Sequence, residues 1–173
     1  LAAMGTACEW QLSKALKAFE TTDLRLAEEV VKEDEKLNGL ERSLEENAVM
    51  LIAKRTPLSG DLRYILAAMR TGIELERIGD YAANIAKRVL ELDDCSAFAL
   101  TGPAQLTQEI GKICRKMISD SVKAFLDQDL AAAERVWHDD DVVDRKFARL
   151  MTELRGKMES DSEDEIGLLI NSF

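Results

Sequence analysis

Proline is almost missing from this 173-residue chain: only Pro57 and Pro103 occur. With so few breakers, nothing prevents long uninterrupted helices. Aromatic residues are scarce at 5%, while Ala, Leu, Glu, Lys and Arg dominate, a balance that favours helix over sheet. Cys8, Cys95 and Cys114 are odd in number, far apart, and form no Cys-x-x-Cys pair. Neither a disulfide framework nor a zinc knuckle is indicated, and three reduced thiols are expected. The only histidine is His138, so no nucleophile–base arrangement is visible. Glycine-rich phosphate loops are absent, since Ser59-Gly60 and Arg70-Thr71-Gly72 are too short to count. No apolar run approaches the ~18 residues of a membrane span, and no signal peptide is visible. Positive charge is in deficit, with 23 Lys and Arg against 33 Asp and Glu, a net charge of -10. That argues against nucleic acid as a partner and is compatible with cation binding.

What is present is a helical alphabet with enough apolar content, 46%, for a real core. The length suits one large domain or two small bundles. Compared with itself at an offset of 106, the chain matches over about 35 residues. Cys8 meets Cys114, Lys17-Ala18-Phe19 meets Lys123-Ala124-Phe125, Asp23-Leu24 meets Asp129-Leu130, and Asp34 meets Asp140. The period is too long for a solenoid and reads as a duplicated small domain. Met4, Cys8, Leu12, Ala15, Leu16 and Phe19 mark a first helix over 1–21. Thr22 or Asp23 can cap a second over 24–54, with Leu26, Val30, Leu37, Leu40, Leu44 and Leu51 on its stripe. Thr-Pro and Ser-Gly break the chain at 55–60, and a third helix follows over 61–92. Residues 93–103 read as a linker. Helices over 103–127 and 129–159 repeat the pattern, and a third begins near Ser162 and is cut off. The expected fold is all-α: two tandem three-helix bundles, 1–97 and 98–173, the second truncated. Trp10 and Trp137 are expected in the core or an interface.

The sharpest feature is Leu75-Glu76-Arg77-Ile78-Gly79-Asp80, followed by Asn84-Ile85-Ala86. On a helix Glu76, Asp80 and Asn84 share one face. Helices two and three should lie antiparallel across a short turn, so residues whose numbers sum to about 115 sit level. That places Asp34 and Asn38 in one layer with Glu76 and Asp80. The stripe Leu62, Leu66, Met69, Ile73 runs in register into Glu76 and Asp80, which puts acids where apolar residues are expected. A semi-buried carboxylate is costly unless neutralised, and oxygen donors suit Mg²⁺, Mn²⁺, iron or Zn²⁺. The competing reading is a solvated polar stripe whose acids pair with Arg77, Lys87 or Arg88. The second unit carries Asp140 and Asp144 at the places of Asp34 and Asn38, with partners expected past Phe173. Asp61 reads as a helix N-terminal acid and His138 as a surface residue.

Asp23-Leu24 with Ala27-Glu28, Asp34, the Thr56–Arg63 run and Leu75–Asp80 with Asn84-Ile85-Ala86 together resemble the PhoU family of phosphate-uptake regulators. The resemblance covers nearly the whole chain. It implies two similar three-helix bundles and Glu/Asp-x-x-x-Asp motifs that bind iron or zinc. Glu76 and Asp80, and Asp140 and Asp144, match those motifs; Asn38 departs from the acidic pattern, and Tyr81 stands where many members have His. It also implies a cytoplasmic negative regulator of the phosphate-starvation response, connecting a phosphate ABC transporter ATPase with a sensor histidine kinase, often as a dimer, and touching the membrane only through those partners. The alternatives are a PhoU-like domain of a larger sodium–phosphate transporter or fused regulator, and a carboxylate-bridged metal enzyme. The latter typically uses Glu-x-x-His pairs, which this chain lacks.

Overall fold

The computed structural model describes residues 1–91 and 102–160. Five helices run through them: α1 (Ala2–Thr21), α2 (Leu24–Arg55), α3 (Ser59–Glu91), α4 (Gly102–Asp127) and α5 (Leu130–Ser160). The expected linker over 93–103 falls outside the described residues up to Thr101, and Gly102 and Pro103 already belong to α4. The helix expected from Ser162 also lies outside them.

The turns follow from local chemistry. α1 ends where Thr22 adopts a left-handed conformation, φ 52°, and its N–H returns to the Ala18 carbonyl. Asp23 then caps α2, its carboxylate accepting from the Leu26 N–H at 3.1 Å. The α4–α5 turn is built the same way: Gln128 has φ 54° and Asp129 accepts from the Ala132 N–H at 2.9 Å. Between α2 and α3, Thr56 is left-handed, φ 44°, and Pro57 follows it.

α1 packs against both α2 and α3, and α2 against α3. Two glycines of α3 fix the register. A Cβ at Gly72 would lie 2.5 Å from Leu44 Cδ2 and 3.5 Å from Met4 Sδ. A Cβ at Gly79 would collide with Leu37 and lie 2.9 Å from Gln11 Oε1. Each glycine thus receives one side chain from α1 and one from α2. From these contacts α2 and α3 are antiparallel with level pairs summing to 116, within one residue of the expected 115. α1 runs parallel to α3.

One expectation needs correcting. The buried face of α3 is Gly72, Leu75, Gly79, Ala82, Ala83, Ala86 and Val89. In the stripe Leu62, Leu66, Met69, Ile73, by contrast, Leu66 is 44% and Ile73 46% exposed. The large residues of this stripe lie outside because α3 is wedged against two helices, and glycine at 72 and 79 admits knobs from both, while Leu75 and Val89 are the larger residues on the buried face. Glu76 and Asp80 therefore extend a half-open face, not a core stripe. On α2, Leu26, Val30 and Leu37 are buried as expected, but Leu51 is exposed. Trp137 is 79% exposed and so is not a core residue; Trp10 is half-buried with Lys14 Nζ 5.5 Å from its ring centroid.

α1 also packs on α4, and α4 on α5. The α1–α4 contact is reciprocal. A Cβ at Gly5 would meet Val122 at 3.0 Å, and one at Gly111 would collide with Leu16. Gly5 and Gly111 stand 106 residues apart, as do Leu16 and Val122, so the helices cross antiparallel about a local two-fold axis. Arg115 Nη1 donates to Ser13 Oγ at 3.2 Å near that axis, and Tyr64 stacks on Phe125 at 4.9 Å. One apolar core, with residues from all five helices, runs through this contact.

Gly111→Val should force Leu16 and α1 off α4 and cost about 1–3 kcal/mol. Gly156→Ala, where an added Cβ meets nothing within 4 Å, should instead stabilise by up to about 1 kcal/mol. Urea unfolding of both variants checks the opposite signs.

Candidate functional site

The hairpin register brings Asp34, Asn38, Glu76 and Asp80 to neighbouring levels near the middle of the α2–α3 contact. Glu76 and Asn38 are half-buried, as is Asp34, and Asp80 is exposed. The Glu76 carboxyl is held above its ordinary value, first by burial and then by the negative charges of Asp80, Glu41 and Asp34. Neighbouring Arg77 opposes these as the smallest influence on it, and Arg77 Nη1 pairs with Glu74 Oε2 at 3.1 Å.

The other cations are committed elsewhere too. Arg88 pairs with Glu91 at 3.0 Å, Lys36 with Glu33 at 3.1 Å and Arg42 with Glu35 at 2.6 Å. Lys87 Nζ donates to Asn84 Oδ1 at 3.4 Å, so Asn84, which is exposed, is engaged by a lysine. Among the described residues no salt bridge reaches Asp34, Glu41, Glu76 or Asp80. The solvated-stripe reading allowed Arg77, Lys87 or Arg88 to pair with these acids; among the described residues none forms a salt bridge to them, while Arg77 lowers the Glu76 carboxyl and Asp80 and Asn84 are exposed.

Two further groups complete the site. Asn38 Oδ1 is buried with no hydrogen-bond partner. Such an orphaned acceptor is costly unless a cation or donor meets it. Gln11, only 2% exposed, reaches from α1 and donates through Nε2 to Asp34 Oδ1 at 2.8 Å. Gln11 and Glu41 were not foreseen from the sequence. Glu41 was accessible to the same hairpin arithmetic, being level with Glu74 by the expected sum and with Leu75, next to Glu76, by the observed one. Gln11 shows only as the one long polar residue on α1's apolar stripe.

The donors that converge here are carboxylate and amide oxygens. Three or more His, Cys, Asp or Glu side chains in position to hold a metal are not found among the described residues. The acids therefore interact through their charge without forming a closed ligand shell. On α5, Asp140 and Asp144 are exposed. Asp140 adds to the burial that raises the Cys114 thiol, and burial with Glu9 pushes the Cys8 thiol up to about 12. Both cysteines are free thiols. His138 is exposed and borders an open groove with Lys116, Asp120, Lys123 and Arg135. Asp61 lies in the first turn of α3, as its helix-terminal reading requires.

Comparison with known proteins decides the family. The PhoU domain model matches residues 1–89 and 107–172. The chain belongs to the PhoU family. It is 35% identical over 158 residues to a phosphate-specific transport system accessory protein PhoU homolog of Caulobacter vibrioides, covering 91% of this chain and 68% of that protein. It is 34% identical over 161 residues to the phosphate-specific transport system accessory protein PhoU of Escherichia coli K12, covering 92% and 65%. The crystal structure of PhoU from Pseudomonas aeruginosa superposes with a TM-score of 0.91 at 32% identity, covering 99% of this chain and 80% of that one. The chain thus spans about two thirds of the length of these relatives. No described helix of this PhoU-family chain is long and apolar enough to cross a membrane.

The raised Glu76 carboxyl binds its proton more tightly folded than unfolded. It therefore favours the folded state below about pH 4.5, its ordinary value, and that advantage is lost as pH rises through the raised value. Glu76→Gln should raise the melting temperature of metal-free protein at pH 7.5 by on the order of 1–3 °C. Melts repeated near pH 4 should show the gain shrinking.

Proposed function

We propose that this PhoU-family chain is a cytoplasmic regulatory adaptor of phosphate uptake that restrains the phosphate-starvation response through protein contacts. Family membership over most of the chain supports that class of function, and the relatives are named as accessory proteins of phosphate-specific transport. Its partners on this reading are the ATPase of a phosphate ABC transporter and a sensor histidine kinase, with a homodimer as the working form. The membrane is reached only through them. The protein is read as non-catalytic, because nothing in the site pairs a nucleophile with a base.

The observation that carries the metal part of the proposal is the acid cluster without a cation, joined by the orphaned Asn38 Oδ1. Asp34, Asn38, Glu76 and Asp80 would hold an iron or zinc ion, with magnesium or manganese suited to the same oxygen donors. A bound cation would supply charge neutralisation for the acids and a partner for the Asn38 oxygen. Asn84 would need to leave Lys87 to join them. Asp140 and Asp144 would serve a second site on the unit that begins with α4.

Elemental analysis of purified protein should find metal that a Glu76→Gln/Asp80→Asn variant lacks; equal content in both would remove the cluster as a binding site. A pull-down with tagged protein should retain the transporter ATPase or the kinase. Retention of neither would count against the adaptor reading.

A further inference from the structure

We infer that the outer face of the α2–α3 hairpin seats an amphipathic helix of a partner protein, one whose apolar residues are followed by lysine or arginine. The inference rests on the protein-contact part of the function proposed above and names the chemistry of that contact. The seat begins with the stripe that is not core. Leu62, Leu66, Met69, Ile73, Glu76 and Asp80 step by three or four residues, so they form one face of α3. Leu62 and Met69 are half-buried, and Leu66 and Ile73 are 44% and 46% exposed. On α2 the facing row runs through Asp34, Glu41, Ala48 and Ile52. Asp34 and Glu41 act on the Glu76 carboxyl through their charge, so the two rows adjoin. Ala48 is buried and Ile52 half-buried, and level pairs summing to 116 set them alongside 68 and 64, beside Leu66. Among the described helices α1 packs on both α2 and α3, and it meets α3 at Gly72 and Gly79. Gly72 lies about 100° around the helix from Ile73. The apolar strip is therefore left half-open beside the packed face.

Charge chooses the occupant. By helical rise the strip is apolar for about 16 Å from Leu62 to Ile73 and turns acidic over the next ~10 Å, to Asp80. That charge is open, since Arg77 and Arg42 pair with Glu74 and Glu35 and no described salt bridge reaches the four acids. At the turn end the α2 row closes on Arg55. The two ends thus differ in sign and fix which way a partner lies. A helix laid along two antiparallel helices buries a stripe at i, i+3 or i+4 and i+7, the spacing of Leu62, Leu66, Met69 and Ile73. Its basic end then meets the acids. An acidic helix would be repelled there, and a wholly polar one would leave the strip uncovered. A metal ion on Glu76 and Asp80 would need the same carboxylates, so the contact belongs to the metal-free protein.

The test is fluorescence anisotropy in EDTA, with the full chain titrated into labelled helical peptides of about 18 residues, long enough to run from Leu62 to Asp80. The probe carries leucines on one stripe, then arginines on the same stripe, with alanine and glutamine elsewhere, and is made in both chain directions. Two controls replace its arginines by glutamate or its leucines by serine. One direction of the leucine–arginine peptide should bind saturably, and neither control should. Leu66→Gln/Ile73→Gln should weaken binding about tenfold or more. Glu76→Gln/Asp80→Asn should weaken it and flatten its salt dependence, whereas Trp137→Gln on α5 should change nothing. Circular dichroism checks the fold; if the glutamine pair disturbs it, the isosteric Glu76→Gln/Asp80→Asn pair carries the test. Binding in neither direction, equal binding of either control, or wild-type affinity in both groove variants would overturn the seat. So would self-association of the chain, by sedimentation, that Leu66→Gln/Ile73→Gln abolishes, because the face would then belong to a second copy. A pull-down separates the two readings. If wild type and Leu66→Gln/Ile73→Gln retain the ATPase or kinase equally, the seat falls and the adaptor stands. If wild type retains neither, the adaptor reading falls, and the titration decides the seat alone.

Discussion

Two side chains arrive at each of two glycines on α3, one from α1 and one from α2, and the architecture follows from that crowding. Met4 and Leu44 meet at Gly72, and Gln11 and Leu37 meet at Gly79. The spacing is seven residues on all three helices, so the layers repeat along the bundle. Ala18, Val30 and Ala86, a further seven residues along each helix, are all fully buried. Close approach of three backbones gains dispersion contacts that larger residues on α3 would forbid. The same device joins α1 to α4, where Gly5 and Gly111 exchange Val122 and Leu16.

The candidate site is a by-product of the middle layer. Gln11 sits in that layer because Gly79 leaves room, and from there it reaches Asp34. The hairpin register set by Leu37 and Leu44 then brings Asp34, Asn38 and Glu41 level with Glu76 and Asp80. Charge does the rest. Cations on the nearby faces pair locally, within one or two turns of their own helices, so the acids face one another without a counter-ion. An uncompensated acid cluster lowers stability, and its convergence with the orphaned Asn38 oxygen motivates the metal reading.

Much of the site was legible beforehand because it depends on one number. Once two long helices are joined by a short turn, the level of every pair is set by arithmetic, and the observed sum differs from the expected one by a single residue. The burial of the site was misread for an equally physical reason. Hydropathy periodicity weights large apolar residues, so the eye follows Leu62, Leu66, Met69 and Ile73. The buried face of α3 is written mostly in glycine and alanine, whose hydropathy is weak and whose role is to be small. Gln11 was invisible because a polar residue on an apolar stripe acquires meaning only when its acceptor, 23 residues away, is known.

By itself the sequence determined the helical class, the helix ends within a few residues, the hairpin levels and the family. These rest on local propensity, capping chemistry, helical rise and motif, all properties of short segments. Only the tertiary structure decided which face of α3 is buried, that Gln11 clamps Asp34, that Glu41 joins the acids and that Asn84 belongs to Lys87. It also decided that Trp137 stands in the open on α5. Each of these depends on how three or more helices share space, and packing between helices distant in sequence is not written in any one of them.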